Sequence, residues 1–324
     1  MRCVFVKRAA AAACRALKRG GPAVLLWASL ACTGGAAQAA SSGAAPMQFD
    51  TPEQAATALA EAWQRDSQAA LLSIFGPHGW ALISSGDPQA EHEATAKLAA
   101  AYTEEHHFDL QGSQRVVIVL GAEAWPYPIP LVRRGTQWHF DVEEGAQQII
   151  DRRVGRNELH AIAVCNAFVA AQRDYVGRDF NRTQHEYAAR VASHPGRHDG
   201  LYWKVAEGAT ESPLGPLVAA AEAEHYGVAS AEGNAPFEGY YYRILTRQGP
   251  HAPGGARDYE VNGHLTGGFA LLAFPAKYRD SGVKTFIVNQ DGIVFEKDLG
   301  PLTRELARQI MQYDPDTSWN PAQP

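Results

Sequence analysis

Cysteine is scarce in this 324-residue chain, and three of its four cysteines, Cys3, Cys14 and Cys32, fall within the first 39 residues. Cys165 alone follows, so no intramolecular disulfide staples the rest and ordinary hydrophobic cores must hold it. Basic residues are thin beyond the same point. Six of the 29 Lys and Arg lie before residue 40 and none of the 35 Asp and Glu do, which leaves 23 against 35 and a formal charge of −12. No Lys/Arg cluster remains there, which excludes a basic footprint for nucleic acid or an anionic membrane. Long apolar runs are missing too. The run from Ala23 to Cys32 is half of the roughly 20 residues that a membrane span needs.

The familiar catalytic signatures are absent or broken. Gly249 and Gly254 in "GPHAPGGA" have the spacing of a phosphate loop, but Gly255 and Ala256 stand where Lys and Ser/Thr belong. Pro250 and Pro253 also delete N–H donors that such a cradle uses. His185-Glu186 begins like a zinc-binding H-E-x-x-H, yet the fifth position is Ala189, so an exposed polar helix face is expected there. No G-x-S-x-G occurs. Cys165 sits on an apolar helix and is expected to pack as a small hydrophobe rather than act as a nucleophile. No catalytic residue and no cofactor is expected.

What is present begins with the leader. Arg2, Lys7, Arg8, Arg15, Lys18 and Arg19 precede the short apolar run, and Ala37-Gln38-Ala39 follows it. These are the three parts of a secretory signal peptide, expected over 1–39 with cleavage after Ala39, and they make the protein exported, or periplasmic in a two-membrane cell. Lipid attachment at Cys32 is the weaker alternative, because Ser29-Leu30-Ala31 places Leu badly for a lipobox. Mature length suits two domains.

A flexible lead-in is expected over 40–50, then an N-terminal α+β domain over 51–146. Thr51-Pro52-Glu53-Gln54 reads as a capping box that starts a helix with Leu59 and Trp63 on one face. Ser85 to Pro88 reads as a turn before an Ala-rich helix from about Glu91 to Tyr102. "RVVIVL" is a strand, and "PIPLV" and "TQWHF" form a hairpin about Arg133-Arg134-Gly135. Pro126, Pro128 and Pro130 alternate, which an edge strand tolerates. A linker is expected over 147–156 and a second α+β domain over 157–313. The second domain opens with a helix from Asn157 to Tyr175 whose stripe is Leu159, Ile162, Cys165 and Val169, widened by Val164 and Phe168. Strands follow at "GYYYRILT", "GGFALLAF", "VKTFIVN" and "IVFEK", with a hairpin at Gln290-Asp291-Gly292 and a closing helix from Pro301. Residues 314–324 read as a C-terminal tail.

Three groups of residues are candidate sites. His194, His198 and Asp199 in a turn-rich loop are the metal-ligand candidates, and they carry the alternative of a metal-dependent periplasmic enzyme. Tyr202, Trp203, Tyr240, Tyr241, Tyr242, Arg243 and His251 are candidates for an interaction surface, since aromatics rimmed by polar groups mark recognition. Asp314 and Asp316 offer oxygen ligands for Ca²⁺ or a plain polar tail. The leading expectation is a non-catalytic envelope protein that binds another envelope protein or a cell-wall component.

The stretch from Asn157 to Leu299, above all "FPAKYRDSGVKTFIVNQDGIVFEKDLG", resembles the globular part of type IV pilins and pseudopilins. That resemblance implies a long helix on an antiparallel meander and, as a further alternative, a subunit of a secretion assembly. The strings "WPYPIPLV", "RRVGRNEL", "HDGLYW", "GYYYRILTRQGPHAPGGA" and "DPDTSW" resemble the bacterial exported family called domain of unknown function 2950. That family implies export and transfers no catalytic role.

Overall fold

The computed structural model describes residues 45–84, 88–178, 185–205, 211–215 and 236–323, which all belong to one compact unit, Gly43–Pro324. The expected leader, 1–39, lies outside the described residues, as does most of the expected turn at Ser85 to Pro88. The architecture is α+β.

The lead-in is not loose where it is described. Phe49 is buried, and it exchanges backbone hydrogen bonds with Trp138 at 2.8 and 2.7 Å. An aromatic residue just before a helix cap finds an open strand beside it, and burial then orders the chain. Helix α1 (Pro52–Gln64) starts close to the capping-box pattern: the Thr51 side chain accepts from Gln54 N, while Gln54 Oε1 accepts from Asp50 N, one residue before the cap, at 3.2 Å. Leu59 and Trp63 are buried. Helices α2 (Gln68–Phe75), α3 (Trp80–Ile83) and α4 (Pro88–Glu104) follow. The first sheet is antiparallel, with β1 (His106–Leu110), β2 (Arg115–Leu120), β3 (Trp125–Pro126), β4 (Leu131–Arg134) and β5 (Gln137–Phe140). Its order is β1-β2-β4-β5, and β3 pairs with β2 alone. The alternating prolines break one strand into β3 and β4, which meet β2 at different heights. Trp63, Phe75, Ile118, Leu131 and Phe140 lead this first core.

Helix α5 runs from Val142 to Gly177, 36 residues, and absorbs the stretch 147–156 that reads as a linker. Asp141 caps it by accepting from Glu144 N at 3.0 Å, and Glu143 and Glu144 suit the dipole of the first turn. The glycines that look like breakers are tolerated within a helix. Gly145 has a packing reason, since a Cβ there would stand 2.7 Å from Ile129 Cγ1. The stripe is also corrected at one place. Ile162, Val164, Cys165, Phe168 and Val169 are buried, but Leu159 is 53% exposed. At 100° per residue Leu159 points about 120° away from Cys165, whereas Glu158 falls close to the stripe. Glu158 Oε1 takes that place by accepting from Val283 N and Lys284 N at 2.8 and 2.9 Å.

The second sheet contains β6 (Tyr240–Leu245), and two short ribbons follow it. They are β7 (Arg247–Gln248) with β8 (Arg257–Asp258), and β9 (Glu260–Val261) with β10 (His264–Leu265). The main sheet resumes with β11 (Ala270–Pro275), β12 (Lys284–Asn289) and β13 (Phe295–Asp298). Helix α6 (Thr303–Gln309) and β14 (Asn320–Pro321) complete it, in the order β14-β13-β12-β11-β6. The closing helix begins at Thr303, because Pro301 lies in a turn held by Thr303 N to Gly300 O. The expected tail is instead the edge strand: Pro321 pairs with Phe295 and Asn320 with Glu296. Contacts of α5 and of α6 with β11, together with its unbroken burial, show why β11 is apolar at every position.

Candidate functional site

Strand alternation sends the tyrosines of β6 to opposite faces. Tyr240 lies buried on the α5 side and donates to Lys284 O at 2.9 Å; burial raises its pKa above the ordinary tyrosine value. Tyr242 is on the same side, and its hydroxyl is buried with no hydrogen-bond partner among the described residues. Tyr241 and Arg243 face α6. The Arg304 guanidinium stands 5.4 Å from the Tyr241 ring centroid. Arg243 donates to Ala307 O at 2.8 Å and to Ile310 O, so it caps the last carbonyls of α6. Helices therefore lie against side chains on both faces of this strand, with Tyr240 buried and Tyr241, Tyr242 and Arg243 half-buried.

The other candidates stand apart from these. Tyr202 bridges to Ala192, and the Trp203 ring stacks on His198 at 4.2 Å. His194 Nδ1 lies 2.6 Å from Asp199 Oδ2, while Asp199 Oδ1 accepts from His194 N. Burial raises the Asp199 carboxyl, but these hydrogen bonds outweigh it and hold the pKa below the ordinary value. The structure thus joins His194 to Asp199 and turns His198 to Trp203. Among the described residues no group of three or more His, Cys, Asp or Glu is placed to hold a metal. His185-Glu186 is in a loop rather than on a helix, and Glu186 Oε1 takes His264 Nδ1 at 3.0 Å. Cys165 is buried, and burial pushes its thiol up to about 12, far from a reactive thiolate.

The "GPHAPGGA" loop is organised from within and from the C-terminal segment. Gln248, buried, donates to Pro253 O and Gly255 O at 2.9 and 2.6 Å and accepts from the Tyr259 hydroxyl at 2.6 Å. Asp314 Oδ1 accepts from His251 N at 2.8 Å, and Oδ2 lies 3.1 Å from His251 Nδ1. That hydrogen bond and charge raise the His251 pKa above the ordinary 6.5. Gly249 is required here, since a Cβ would stand 2.3 Å from Asp314 Cγ. So His251 faces Asp314, and Asp314 is a clasp rather than tail. Asp316 accepts from Ser318.

Asp314 also lines a groove of about 560 Å³ between α6, β12–β13 and the C-terminal segment, with Leu299, Leu306, Met311 and Trp319. Helix α6 turns its small residues inward. Its small residues Thr303 and Ala307 face the sheet at 1% and 0% exposure, while Leu302, Leu306 and Met311 stand out at 63%, 38% and 59%. The signal was readable: Thr303 and Ala307 share a face at i,i+4, and so do Leu302 and Leu306. Only the tight sheet contact decides which face turns inward.

Two five-stranded antiparallel sheets and two short ribbons arranged about one long helix make an α+β protein. A family model described as "Protein of unknown function (DUF2950)" matches residues 47–322, and the chain belongs to that family. No curated protein and no solved structure matches it, pilins included.

Proposed function

We propose that the protein is an exported, non-catalytic binding protein of the bacterial cell envelope. Its docking face is the groove beside α6, and the occupant is an extended apolar segment of another envelope protein. The observation that carries this is the orientation of α6, which buries Thr303 and Ala307 while Leu302, Leu306 and Met311 stand outward. An apolar patch rimmed by polar groups marks a recognition surface, and Met adapts to varied partners. An extended occupant fits the edge of β13. There β14 pairs with Phe295 and Glu296 only, and Lys297 and Asp298 have no β14 partner. The acidic balance of the chain beyond its leader also sets aside polyanionic partners.

A photo-crosslinking residue at Met311, used in cells, tests this. The expected result is crosslinking to one polypeptide, lost in a Leu302→Lys/Leu306→Lys variant whose melting temperature is unchanged. No polypeptide crosslinked at position 311, or turnover in a hydrolase screen that one substitution abolishes, overturns the reading.

A further inference from the structure

A second pocket lies in the other half of the molecule, away from α6. It measures about 330 Å³ and is formed between the back of the first sheet and the early turns of α5. Arg115 and Arg152 both line it, with Gln148, Val117, Tyr127 and Asp109. Arg115 spends one nitrogen on Glu144, Nη2 to Oε1 at 2.5 Å. Its Nη1 is buried and has no hydrogen-bond partner among the described residues. A buried guanidinium nitrogen left unmatched costs free energy unless an acceptor reaches it. Arg152 donates Nη1 to Pro126 O at 2.7 Å and rests over the Trp125 ring at 5.2 Å, which fixes its plane and leaves further donors.

The alternating prolines make sense beside these two cations. Pro126, Pro128 and Pro130 line the pocket and bring no N–H, so its donors come from side chains. Asp109 is occupied by Gln111, whose Nε2 donates to it at 2.9 Å. Asp109 in the lining and Glu144 on Arg115 offset the two arginines, so the pocket offers directed donors rather than a surplus of charge. Planar guanidinium forks match the two oxygens of a carboxylate. The volume is at the small end of ligand pockets, about 300–1,000 Å³, and so suits a terminal group rather than an extended chain.

The geometry points to a binding site for a carboxylate-bearing ligand, held by Arg115 and Arg152 with its apolar part against Val117 and Tyr127. The carboxylate belongs either to a small organic acid or to the free C-terminus of a peptide. The site is independent of the groove beside α6.

Calorimetric titration of the purified protein tests it, with three probes: straight-chain acids from acetate to hexanoate, alanyl dipeptides with free and amidated C-termini, and inorganic phosphate. Saturable binding of a free carboxylate is expected, with at least a tenfold loss on amidation of a dipeptide that binds. Tighter binding of the acids or of the dipeptides assigns the source. Arg115→Gln is expected to weaken binding at least tenfold. Because Arg115 also holds Glu144, Arg152→Gln serves as a second variant that spares that pair, and a similar loss is expected. Saturation by phosphate alone, equal binding of free and amidated dipeptides, no binding by any probe, or full binding by Arg152→Gln overturns the assignment.

Discussion

The core around Leu59, Trp63 and Phe140 is assembled from helices that precede their sheet. The core around Phe269, Leu272 and Phe286 comes mostly from strands, with α5 laid across them. One helix serves both, and it does so with different chemistry at its two ends. Its early turns add polar groups, Glu144 on Arg115 and Arg152 on Pro126 O, to the packing of Val142 and Gly145 on the first half. Its later turns bury Ile162, Cys165, Phe168 and Val169 against the second sheet. The changeover is visible in two neighbours: Arg152 reaches back to Pro126, while Arg153 Nε donates forward to Asp280 O at 3.0 Å. Apolar burial therefore anchors α5, and hydrogen bonds aim it.

The largest test of that division is Phe168→Ala. Phe168 is 1% exposed and meets Phe269 edge-on at 5.6 Å. Truncation is expected to cost about 3–5 kcal/mol. Because α5 is continuous, amide exchange in β2 of the first half should rise together with that in β11. Unchanged protection of β2 would show that the two cores unfold separately.

A smaller effect is expected at Gly249→Ala, where the added Cβ would press on the Asp314 carboxylate at 2.3 Å. The loop or the C-terminal segment must give way, at a cost of about 1–3 kcal/mol. Denaturant midpoints measure it, and β2 exchange should hardly move, since this clasp touches only the second half. A variant as stable as the parent would show that Asp314 does not hold the loop.

How much of this was legible follows from the range of each interaction. The α1 capping box, the Arg134–Gln137 hairpin and the strands β6, β11, β12 and β13 are written in local patterns, and they stand where the pattern puts them. The start of α5 was not legible, because Gly145 and Gly155 look like breakers until Ile129 is seen against Gly145. The tyrosines of β6 look like a recognition surface because nothing local reveals that α5 and α6 lie against its two faces. Asp314 reads as tail until the chain brings it 63 residues back to His251. Sites made by contacts distant in sequence are the part that periodicity does not carry.

The smallest effects come from protons, and they separate the halves by sign. In the first half His139 is pushed below its ordinary 6.5, by burial first and then by the Arg134 charge, against Asp141. A histidine with a lowered folded pKa contributes stability above 6.5 that is lost as pH falls through the folded value. In the second half His251 is raised by Asp314, so its contribution is complete below 6.5 and is lost as pH rises through the folded value. Acidification from pH 8 to 5 should therefore loosen β5 slightly and tighten the 249–255 loop. Below the ordinary carboxylate value of 3.8 the second half should yield. Asp280 is held down by the Lys277 hydrogen bond, and Asp316 by Ser318, so each loses its contribution as it is protonated. Exchange rates of β5 and loop amides across pH 3 to 8 read both signs at once. Parallel rather than opposite changes between pH 8 and 5 would mean that α5 transmits the proton's effect as well as the fold's.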